Sequence, residues 1–276
     1  MTGILDGRSA LISGSGRGIG REIALKLASQ GARIVVNDLD ADPANETAEL
    51  IRKLGGEAVV CAGSVTEDGF ANRFVKTAVD SFGGVDIIVN NAGYTWDTVV
   101  QKMTDDQWHA IIDVHLTAPF QIIRAAQPVI SAAAKAEAAE GREVFRKVVN
   151  ISSIAGTGGN AGQINYSAAK AGIIGLTKAM AKEWGRYKVN VNAVAFGPIR
   201  TRLTEAAADG DSKIEVEGNK IQVGLNPELV SQMETMIPLG RVGTPAEAAG
   251  AVYLFCIPES NYITGQHVIC GGGFVL

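Results

Sequence analysis

The sequence predicts an α/β fold built on one doubly wound parallel β-sheet with helices on both faces. Short runs of β-branched residues alternate along the chain with longer segments of helical periodicity. The predicted strands are apolar on both faces, as is typical of parallel strands buried between two layers of helices. Neither an internal repeat nor a linker rich in Pro, Gly or Ser divides the 276 residues, so we expect one domain over residues 1–276.

The first half of the chain contains four predicted strands separated by three predicted helices. Each strand is a short apolar run that ends at turn-forming residues, and each helix repeats its apolar residues with a helical period. The predicted strands are Ser9–Ser13, Arg33–Asn37, Ala58–Cys61 and Val85–Asn90, and the predicted helices are Gly20–Gln30, Pro43–Leu54 and Phe70–Phe82.

The second half continues the alternation with longer helices. Helical periodicity covers Asp105–Val129 and extends towards the Ala-rich stretch Ser131–Ala139. This stretch also favours helix, because Ala has the highest helix propensity. The remaining predicted strands are Lys147–Ile151, Val189–Ala195 and His267–Cys270, and the remaining helices are Tyr166–Glu183 and Ala246–Phe255.

Two segments have the character of insertions. Ser131–Arg146 is a charged extension that favours helix. Arg202–Gly240 lacks a clear strand pattern and carries scattered charge, followed by a helix-like stretch at Pro227–Met236. A long excursion directly after a sheet strand is a candidate lid over an active site. The alternative is a solvated surface insertion.

Composition excludes several classes of partner. The net charge of −4 gives no electrostatic footprint for nucleic acid or for an anionic membrane. Met1–Arg8 has no apolar signal-peptide core, and no apolar run approaches the ~18 residues needed to span a bilayer. Cys61, Cys256 and Cys270 have no metal-ligand spacing. We therefore expect reduced thiols, no metal site and a cytoplasmic location.

A glycine-rich turn between the first strand and the first helix indicates a dinucleotide site. Gly14, Gly18 and Gly20 form the pattern G-x-x-x-G-x-G within Ser13–Gly20. Glycines permit a tight turn and allow the N–H groups of a helix N-terminus to approach a phosphate. The position after a strand and before a helix is the context that supports this interpretation.

Asp38, at the end of the second predicted strand, favours NAD over NADP. A carboxylate eighteen residues after Gly20 can accept hydrogen bonds from both ribose hydroxyls of adenosine and would repel a 2′-phosphate. The alternative is an Asp that forms a turn or caps the Pro43 helix. Arg17 complicates the assignment, because a guanidinium near the ribose attracts a 2′-phosphate.

Tyr166 and Lys170 stand four residues apart in a predicted helix, so both project from one face. A nearby ammonium stabilises a phenolate, which makes Tyr usable as an acid or base near neutral pH. Taken alone, this spacing also fits an amphipathic surface pair. Ser152 and Ser153 follow a buried strand upstream of this helix.

The combination of motifs resembles the short-chain dehydrogenase/reductase family in its one-domain Rossmann form, over nearly the whole chain. The motifs are the turn Ser13–Gly20, Asn90-Asn91-Ala92-Gly93, Ser153 thirteen residues before Tyr166, Tyr166-x-x-x-Lys170, Gly197-Pro198-Ile199-Arg200-Thr201 and Tyr262-Ile263-Thr264-Gly265-Gln266. The thirteen-residue spacing selects Ser153 over Ser152 as the active-site serine.

The resemblance implies catalytic roles for three residues. Tyr166 would donate a proton to a substrate carbonyl oxygen during reduction or accept it during oxidation. Lys170 would bind the nicotinamide ribose and lower the Tyr166 pKa, and Ser153 would bind the substrate oxygen. The cofactor-binding residues that the resemblance and the glycine turn imply are Gly14, Ser15, Arg17, Gly18, Ile19, Gly20, Asp38, Ser64, Val65, Asn91, Ala92, Gly93, Tyr166, Lys170, Pro198, Ile199 and Thr201.

Three residues depart from the family pattern in a way that bears on the site. Ser64 stands where an Asp commonly contacts the adenine amino group, and Phe196 replaces a Pro before Gly197. His115 replaces the Asn that helps to kink a helix and to position a water connecting Lys170 to solvent. His115 would either bind the same water or preserve only the kink through its backbone.

The resemblance implies an NAD(P)-dependent oxidoreductase that interconverts a secondary alcohol and a ketone, with NAD as the expected cofactor and NADP as the less favoured one. Asn37-Asp38-Leu39 and His115 are similar to the hydroxyacyl-CoA dehydrogenase domains of β-oxidation enzymes, which favours a 3-hydroxyacyl or 3-oxoacyl thioester as substrate. A sterol, terpenoid or polyol dehydrogenase is an alternative. A regulator that binds NAD without turnover is another, against which the intact Ser153, Tyr166 and Lys170 argue. The family also implies a homotetramer.

Overall fold

The main sheet follows from short apolar runs that are buried on both faces. Its strands are Ser9–Ile12 (β1), Arg33–Val36 (β2), Ala58–Val60 (β3), Ile87–Asn90 (β4), Arg146–Ser153 (β5), Val189–Phe196 (β6) and His267–Cys270 (β9). Two further strands, Lys213–Val216 (β7) and Asn219–Gln222 (β8), form a separate hairpin. All pairings in the main sheet are parallel, and the spatial order is β3-β2-β1-β4-β5-β6-β9. The doubly wound parallel sheet predicted from the sequence is confirmed.

Helices follow the strands and cover both faces of the sheet. They are Gly18–Ala28 (α1), Ala41–Lys53 (α2), Phe70–Phe82 (α3), Asp105–Ile112 (α4), Ala118–Ala139 (α5), Ile154–Gly158 (α6), Ile164–Trp184 (α7), Pro227–Met236 (α8) and Pro245–Tyr253 (α9). The computed structural model describes residues 3–201, 213–216, 218–222 and 227–274. Among the helices in these ranges, none has the length and apolar character needed to cross a membrane.

Strand β1 shows how the sequence divides the core into two layers. Leu11 belongs to one buried cluster, with Phe70, Phe74 and other residues of the layer that includes α3. Ala10 and Ile12 belong to the other cluster. Successive side chains of a strand point to opposite faces, so a short apolar run of this kind serves both layers at once.

The order of the strands places a crevice above the centre of the sheet. β1 lies between β2 and β4, so the chain leaves β1 towards one side of the sheet and later returns to its other side at β4. In open α/β sheets, ligands bind outside the carboxyl ends of the strands at such a switch point. The glycine turn follows β1, and Asn91–Gly93 follows β4, so both motifs border this crevice.

The segment predicted as one long helix, Asp105–Val129, is interrupted. α4 ends at Ile112, a π-helical turn spans Asp113–Thr117, and α5 then begins at Ala118. π-turns commonly occur at functional sites. α5 continues through the Ala-rich stretch to Ala139, so the first part of the Ser131–Arg146 extension prolongs an existing helix.

The last residue of the extension, Arg146, forms an ion pair with Glu137 on α5. Arg146, the first residue of β5, donates to both carboxylate oxygens of Glu137 at 2.8 and 2.7 Å. Both side chains are largely buried. A bidentate pair of this geometry fixes where the extended helix meets the sheet.

The segment Arg202–Gly240 contains a hairpin that its sequence did not predict. Lys213–Val216 (β7) pairs antiparallel with Asn219–Gln222 (β8), and α8 covers the predicted Pro227–Met236. Ile221 is buried in the same cluster as Leu11 and Phe70. The rest of the expected lid, residues 202–212, 217 and 223–226, lies outside the described residues.

Candidate active site

The glycine turn after β1 depends on residues without side chains. Gly14 and Gly18 have φ angles of +62° and +52°, in the left-handed region that favours glycine. A Cβ on Gly20 would lie 2.0 Å from the Gly14 carbonyl oxygen. None of the described side chains caps the start of α1. The first N–H groups of the helix are therefore suited to an anion such as a pyrophosphate.

Two asparagines that the sequence reasoning did not treat as structural supports hold this turn. The side-chain amide of Asn91 donates to the carbonyls of Ser13 and Gly14, both at 3.0 Å. Asn37 accepts from the Gly14 amide at 3.0 Å and donates to the Cys61 carbonyl at 3.0 Å. The amide hydrogens of Asn91 are therefore used to join the turns after β1 and β4.

Asp38 lies directly beyond β2 and faces the glycine turn. The residue is 7% exposed, and its carboxylate accepts from Arg17 Nη1 at 3.0 Å. Arg17 Nη2 donates to Asp40 at 2.8 Å. Burial raises the pKa of Asp38, while hydrogen bonding to the Asp40 amide and the charge of Arg17 oppose that shift. A Cβ on Gly16 would lie 2.5 Å from Asp38 Oδ2. Arg17 therefore already pairs with two carboxylates.

Four other predicted cofactor residues follow the ends of β3 and β6. The Ser64 hydroxyl lies 2.7 Å from that of Thr66, and Val65 beside it is buried. Beyond β6, the amide of Gly243 donates to the Pro198 carbonyl at 2.9 Å, and Ile199 is buried.

The structure brings Ser153, Tyr166 and Lys170 together at the carboxyl end of β5. Ser153 is the last residue of β5, and the other two lie one turn apart on α7. The Ser153 hydroxyl is close enough to the Tyr166 phenol to lower its pKa, and Lys170 Nζ lies 5.5 Å from the centre of the Tyr166 ring. Lys170 Nζ donates to the Ile151 carbonyl at 2.7 Å.

Ser152 and Ser153 have different surroundings. Ser152 is buried, and its hydroxyl donates to the backbone carbonyl of Lys170 at 2.8 Å. Ser153 is half-buried and accepts from the Ala155 amide at 3.2 Å, which caps α6. Side chains alternate along a strand, so only the second serine faces Tyr166.

Burial dominates the ionisation of the Tyr166–Lys170 pair. It raises the pKa of Tyr166 to about 12, although the Ser153 side chain lowers it and the charge of Asp97 adds to the rise. It also lowers the pKa of Lys170 to about 7. Both shifts arise because removal from water disfavours the charged form of each group. The lowering of the Tyr166 pKa by Lys170 that the family resemblance implies stays a prediction.

His115 lies within the π-turn, and its ring faces Tyr166. The two ring centres are 5.0 Å apart with an interplanar angle of 87°. His115 Nε2 lies 2.7 Å from the carbonyl oxygen of Tyr94. Because a carbonyl only accepts, Nε2 carries the hydrogen and Nδ1 is an acceptor. Nδ1 is buried and has no hydrogen-bond partner among the described atoms.

Burial and the charge of Lys170 hold the pKa of His115 well below its ordinary value. The imidazole is therefore neutral at physiological pH, and its ring packs edge-to-face against Tyr166. The side chain, and not only the backbone of the turn, thus contacts the site.

Asn165, which the sequence reasoning missed, orients the start of α7. It is fully buried, and its amide donates to the carbonyls of Trp96 and Gln107 at 3.3 and 3.1 Å. Its side-chain oxygen accepts from the Tyr166 amide at 2.8 Å. Its position next to Tyr166 was the only available sequence signal, since its partners are distant in the chain.

The residues of the crevice fit a nicotinamide dinucleotide. The glycine turn and the uncapped α1 provide a cradle for a pyrophosphate, and a Cβ at Gly16 or Gly20 would clash with the protein atoms that shape the turn. The Asp38 carboxylate supplies the acceptor that an adenosine ribose requires. The serine, tyrosine and lysine stand at the opposite end of the crevice, beyond β5.

Comparisons with known proteins identify the family of the chain. A short-chain dehydrogenase family model, described as enoyl-(acyl carrier protein) reductase, matches residues 14–275. Proteins named 3-oxoacyl-[acyl-carrier-protein] reductase are similar over nearly full length. That of Synechocystis sp. is 39% identical, covering 99% of this chain and 98% of the relative. That of Vibrio cholerae is 37% identical and covers 99% of each chain.

A solved structure also matches closely. A crystal structure from Sinorhizobium meliloti 1021, assigned by name as a short-chain alcohol dehydrogenase, superposes with a TM-score of 0.84 at 30% sequence identity. The match covers 98% of this chain and 96% of that chain. The family resemblance of the sequence is thereby confirmed. The chain belongs to the short-chain dehydrogenase/reductase family, whose members are oxidoreductases that use a nicotinamide cofactor.

Proposed function

We propose that the protein reduces the ketone of a 3-oxoacyl thioester to a secondary alcohol, with NADH as the cofactor. The observation that carries the proposal is the half-buried Tyr166 phenol, which lies between the Ser153 hydroxyl at the end of β5 and Lys170 one turn along α7. A phenol with a pKa of about 12 is protonated at physiological pH and has a proton to give to the more basic alkoxide oxygen that forms on the ketone. The names of the relatives support the substrate class.

When bound, the reduced nicotinamide supplies the hydride for the ketone carbon. Tyr166 donates its proton to the ketone oxygen as the negative charge develops there. Ser153 donates a hydrogen bond to the same oxygen and stabilises that charge. Lys170, with a pKa of about 7, can return a proton towards the tyrosine at neutral pH.

We propose that His115 is a positioning residue for this proton return. Its buried Nδ1 acceptor supports a hydrogen bond to a water that connects Lys170 with solvent. His115→Ala should slow the reaction and shift its pH profile, and His115→Asn should recover part of the loss. An unchanged rate and pH profile in His115→Ala would leave the residue with a packing role only.

The surroundings of Asp38 support NADH over NADPH. A 2′-phosphate placed against the Asp38 carboxylate would meet a second negative charge at Asp40. Arg17, the residue that would attract such a phosphate, is paired with both carboxylates. A preference for NADH fits less well with a biosynthetic reductase, so the oxidative direction with a 3-hydroxyacyl thioester is the second candidate.

The exposed edge of the main sheet supports an assembly of several subunits. β9 is an edge strand, and Val268 and Ile269 on it remain 46% and 39% exposed. Exposed apolar edges are typical of subunit contacts, which supports a homotetramer. We also propose that residues 202–240 form the substrate lid. The three free thiols support a location in the cytoplasm. Sedimentation analysis tests the assembly.

A substrate panel tests the proposed function. NADH oxidation is followed with an acetoacetyl thioester, a sterol ketone and a polyol-derived ketone at matched concentrations. We expect the highest kcat/KM for the thioester. A higher kcat/KM for the sterol or polyol-derived ketone would instead identify the protein as a sterol or polyol dehydrogenase. NADH binding without turnover of any of the three ketones would favour a regulator.

A further inference from the structure

Asp97 places a negative charge beside the site, and none of the roles above uses it. It lies in the segment after β4 and directly follows Trp96, whose carbonyl accepts from Asn165, the residue before Tyr166, at 3.3 Å. Its charge helps to raise the pKa of Tyr166. The residue is exposed to solvent, although enough protein surrounds its carboxyl to raise the pKa of Asp97 as well. A carboxylate that is open to solvent but closely surrounded by protein is typical of a group that lines a cleft.

The position of this carboxylate is fixed by a second loop, the one that precedes α7. The amide of Gln163 donates to Asp97 Oδ2 at 2.6 Å and accepts from Asn160 Nδ2 at 2.9 Å. The amide of Thr98 donates to the Gly162 carbonyl at 2.9 Å. Both ends of the Gln163 amide are therefore used, and the two loops hold the charge in one place near Tyr166.

This charge is not neutralised within the described part of the chain. Its hydrogen-bond donors there are uncharged, namely Gln163 and Thr95. A carboxylate without a cation repels a second carboxylate in the same cleft, and the repulsion is strongest where protein excludes water. A neutral ketone substrate meets no such repulsion.

We propose that Asp97, held by Gln163, is a specificity-determining residue that rejects a substrate with a carboxylate next to the reacting ketone. The enzyme then distinguishes a 3-oxoacyl thioester, which is neutral at this position, from the corresponding free 3-oxo acid, which is an anion. This inference rests on the proposed function and adds the charge rule by which the substrate is chosen.

The test compares two substrates with the same reacting ketone. The acetoacetyl thioester of N-acetylcysteamine is neutral, whereas acetoacetate carries a carboxylate. The ratio of their kcat/KM values with NADH is measured for the wild type, for Asp97→Asn and for Asp80→Asn. Asp80 is an exposed carboxylate on α3, paired with Lys76 outside the crevice, and serves as the matched control.

We expect Asp97→Asn to reduce the thioester-to-acetoacetate ratio by about tenfold, the equivalent of about 1.4 kcal/mol. The change should come from a higher kcat/KM for acetoacetate, and Asp80→Asn should keep the wild-type ratio. Removal of the charge should also lower the pKa of Tyr166, so the limb of the pH profile that depends on Tyr166 should move to lower pH. A packing role for Asp97 would produce neither effect.

Ionic strength gives a second measurement that needs no variant. The Debye length falls from about 30 Å at 0.01 M salt to about 3 Å at 1 M, so salt should reduce the wild-type ratio. An unchanged ratio in both Asp97→Asn and high salt would overturn the specificity role and leave the reductase activity standing. A wild type that reduces neither substrate would instead overturn the proposed function.

Discussion

A side chain at Gly93 would occupy the same space as the imidazole of His115. A Cβ on residue 93 would lie 2.0 Å from His115 Cε1 and 2.6 Å from Nδ1. The ring is also held by a hydrogen bond, because Nε2 donates to the carbonyl of Tyr94 at 2.7 Å. The glycine that follows β4 thus makes room for the histidine that faces Tyr166.

Gly93→Ala is therefore expected to displace His115. Overpacking of this kind costs about 1–3 kcal/mol of unfolding free energy. The reductase rate should fall in the same direction as in His115→Ala, and chemical denaturation together with steady-state kinetics measures both effects. Gly250→Ala is the control, since a Cβ there meets no atom within 4 Å and α9 should gain about 0.5–1 kcal/mol. Equal behaviour of the two variants would contradict the packing argument.

Alanine substitutions at the two adjacent serines should have similar effects on stability but different effects on activity. Ser152→Ala loses a buried hydrogen bond to the Lys170 carbonyl, and Ser153→Ala loses the α6 cap, so each variant should lose about 1 kcal/mol of unfolding free energy. Only Ser153→Ala should lose about 100-fold or more in kcat, because only Ser153 reaches the reacting oxygen. An equal loss of kcat in both variants would show that this distinction is wrong.

Lys170 should make stability depend on pH in a predictable direction. Its pKa is about 7 in the folded protein and about 10.5 when unfolded, so between these values the unfolded chain binds the additional proton. The wild type should therefore gain up to about 1.4 kcal/mol of unfolding free energy per pH unit from pH 7 to pH 9 through this residue.

Lys170→Met isolates this contribution in urea titrations at several pH values. The variant should compare most favourably with the wild type near pH 6, and its relative advantage should shrink as the pH rises. A difference between the two proteins that does not change with pH would mean that Lys170 stays charged when folded.

Asp38→Ala tests the choice of cofactor, with Asp40→Ala as a matched control. Both carboxylates bind Arg17, but Asp38 is buried beside the glycine turn and Asp40 is exposed. We expect Asp38→Ala to weaken NADH binding by about tenfold or more, since a hydrogen bond to a charged group contributes about 1.5–3 kcal/mol. NADPH binding should improve. If the wild type bound NADPH more tightly than NADH, the cofactor preference assigned to Asp38 would be wrong. Arg17 would then be the main determinant, as the residue that binds the 2′-phosphate.

Local patterns were sufficient for much of the fold. Phe70–Phe82, Pro227–Met236 and His267–Cys270 have the predicted bounds, because apolar periodicity and flanking turn residues define them locally. The same patterns could not reveal the π-turn at Asp113–Thr117, since the apolar periodicity continues through it. The β7–β8 hairpin was missed because its short strands are rich in charged and polar residues.

The site was predictable where function fixes a spacing and unpredictable where support comes from distant residues. Ser153, Tyr166 and Lys170 follow a recognisable spacing, and the structure brings them together. Asn165 binds carbonyls 58 and 69 residues away, and no local pattern encodes such partners. The rise in the Tyr166 pKa was also not foreseen, since it depends on burial that only the folded chain provides.

The most direct test of the account is the rate at which the acetoacetyl thioester oxidises bound NADH in the wild type and in Tyr166→Phe. We predict turnover in the wild type and a loss of about 100-fold or more in the variant, because phenylalanine has no proton to donate. NADH affinity, measured by fluorescence titration, should stay close to the wild-type value. A variant that keeps its rate would contradict the role of Tyr166 as the proton donor, on which the proposed reaction depends.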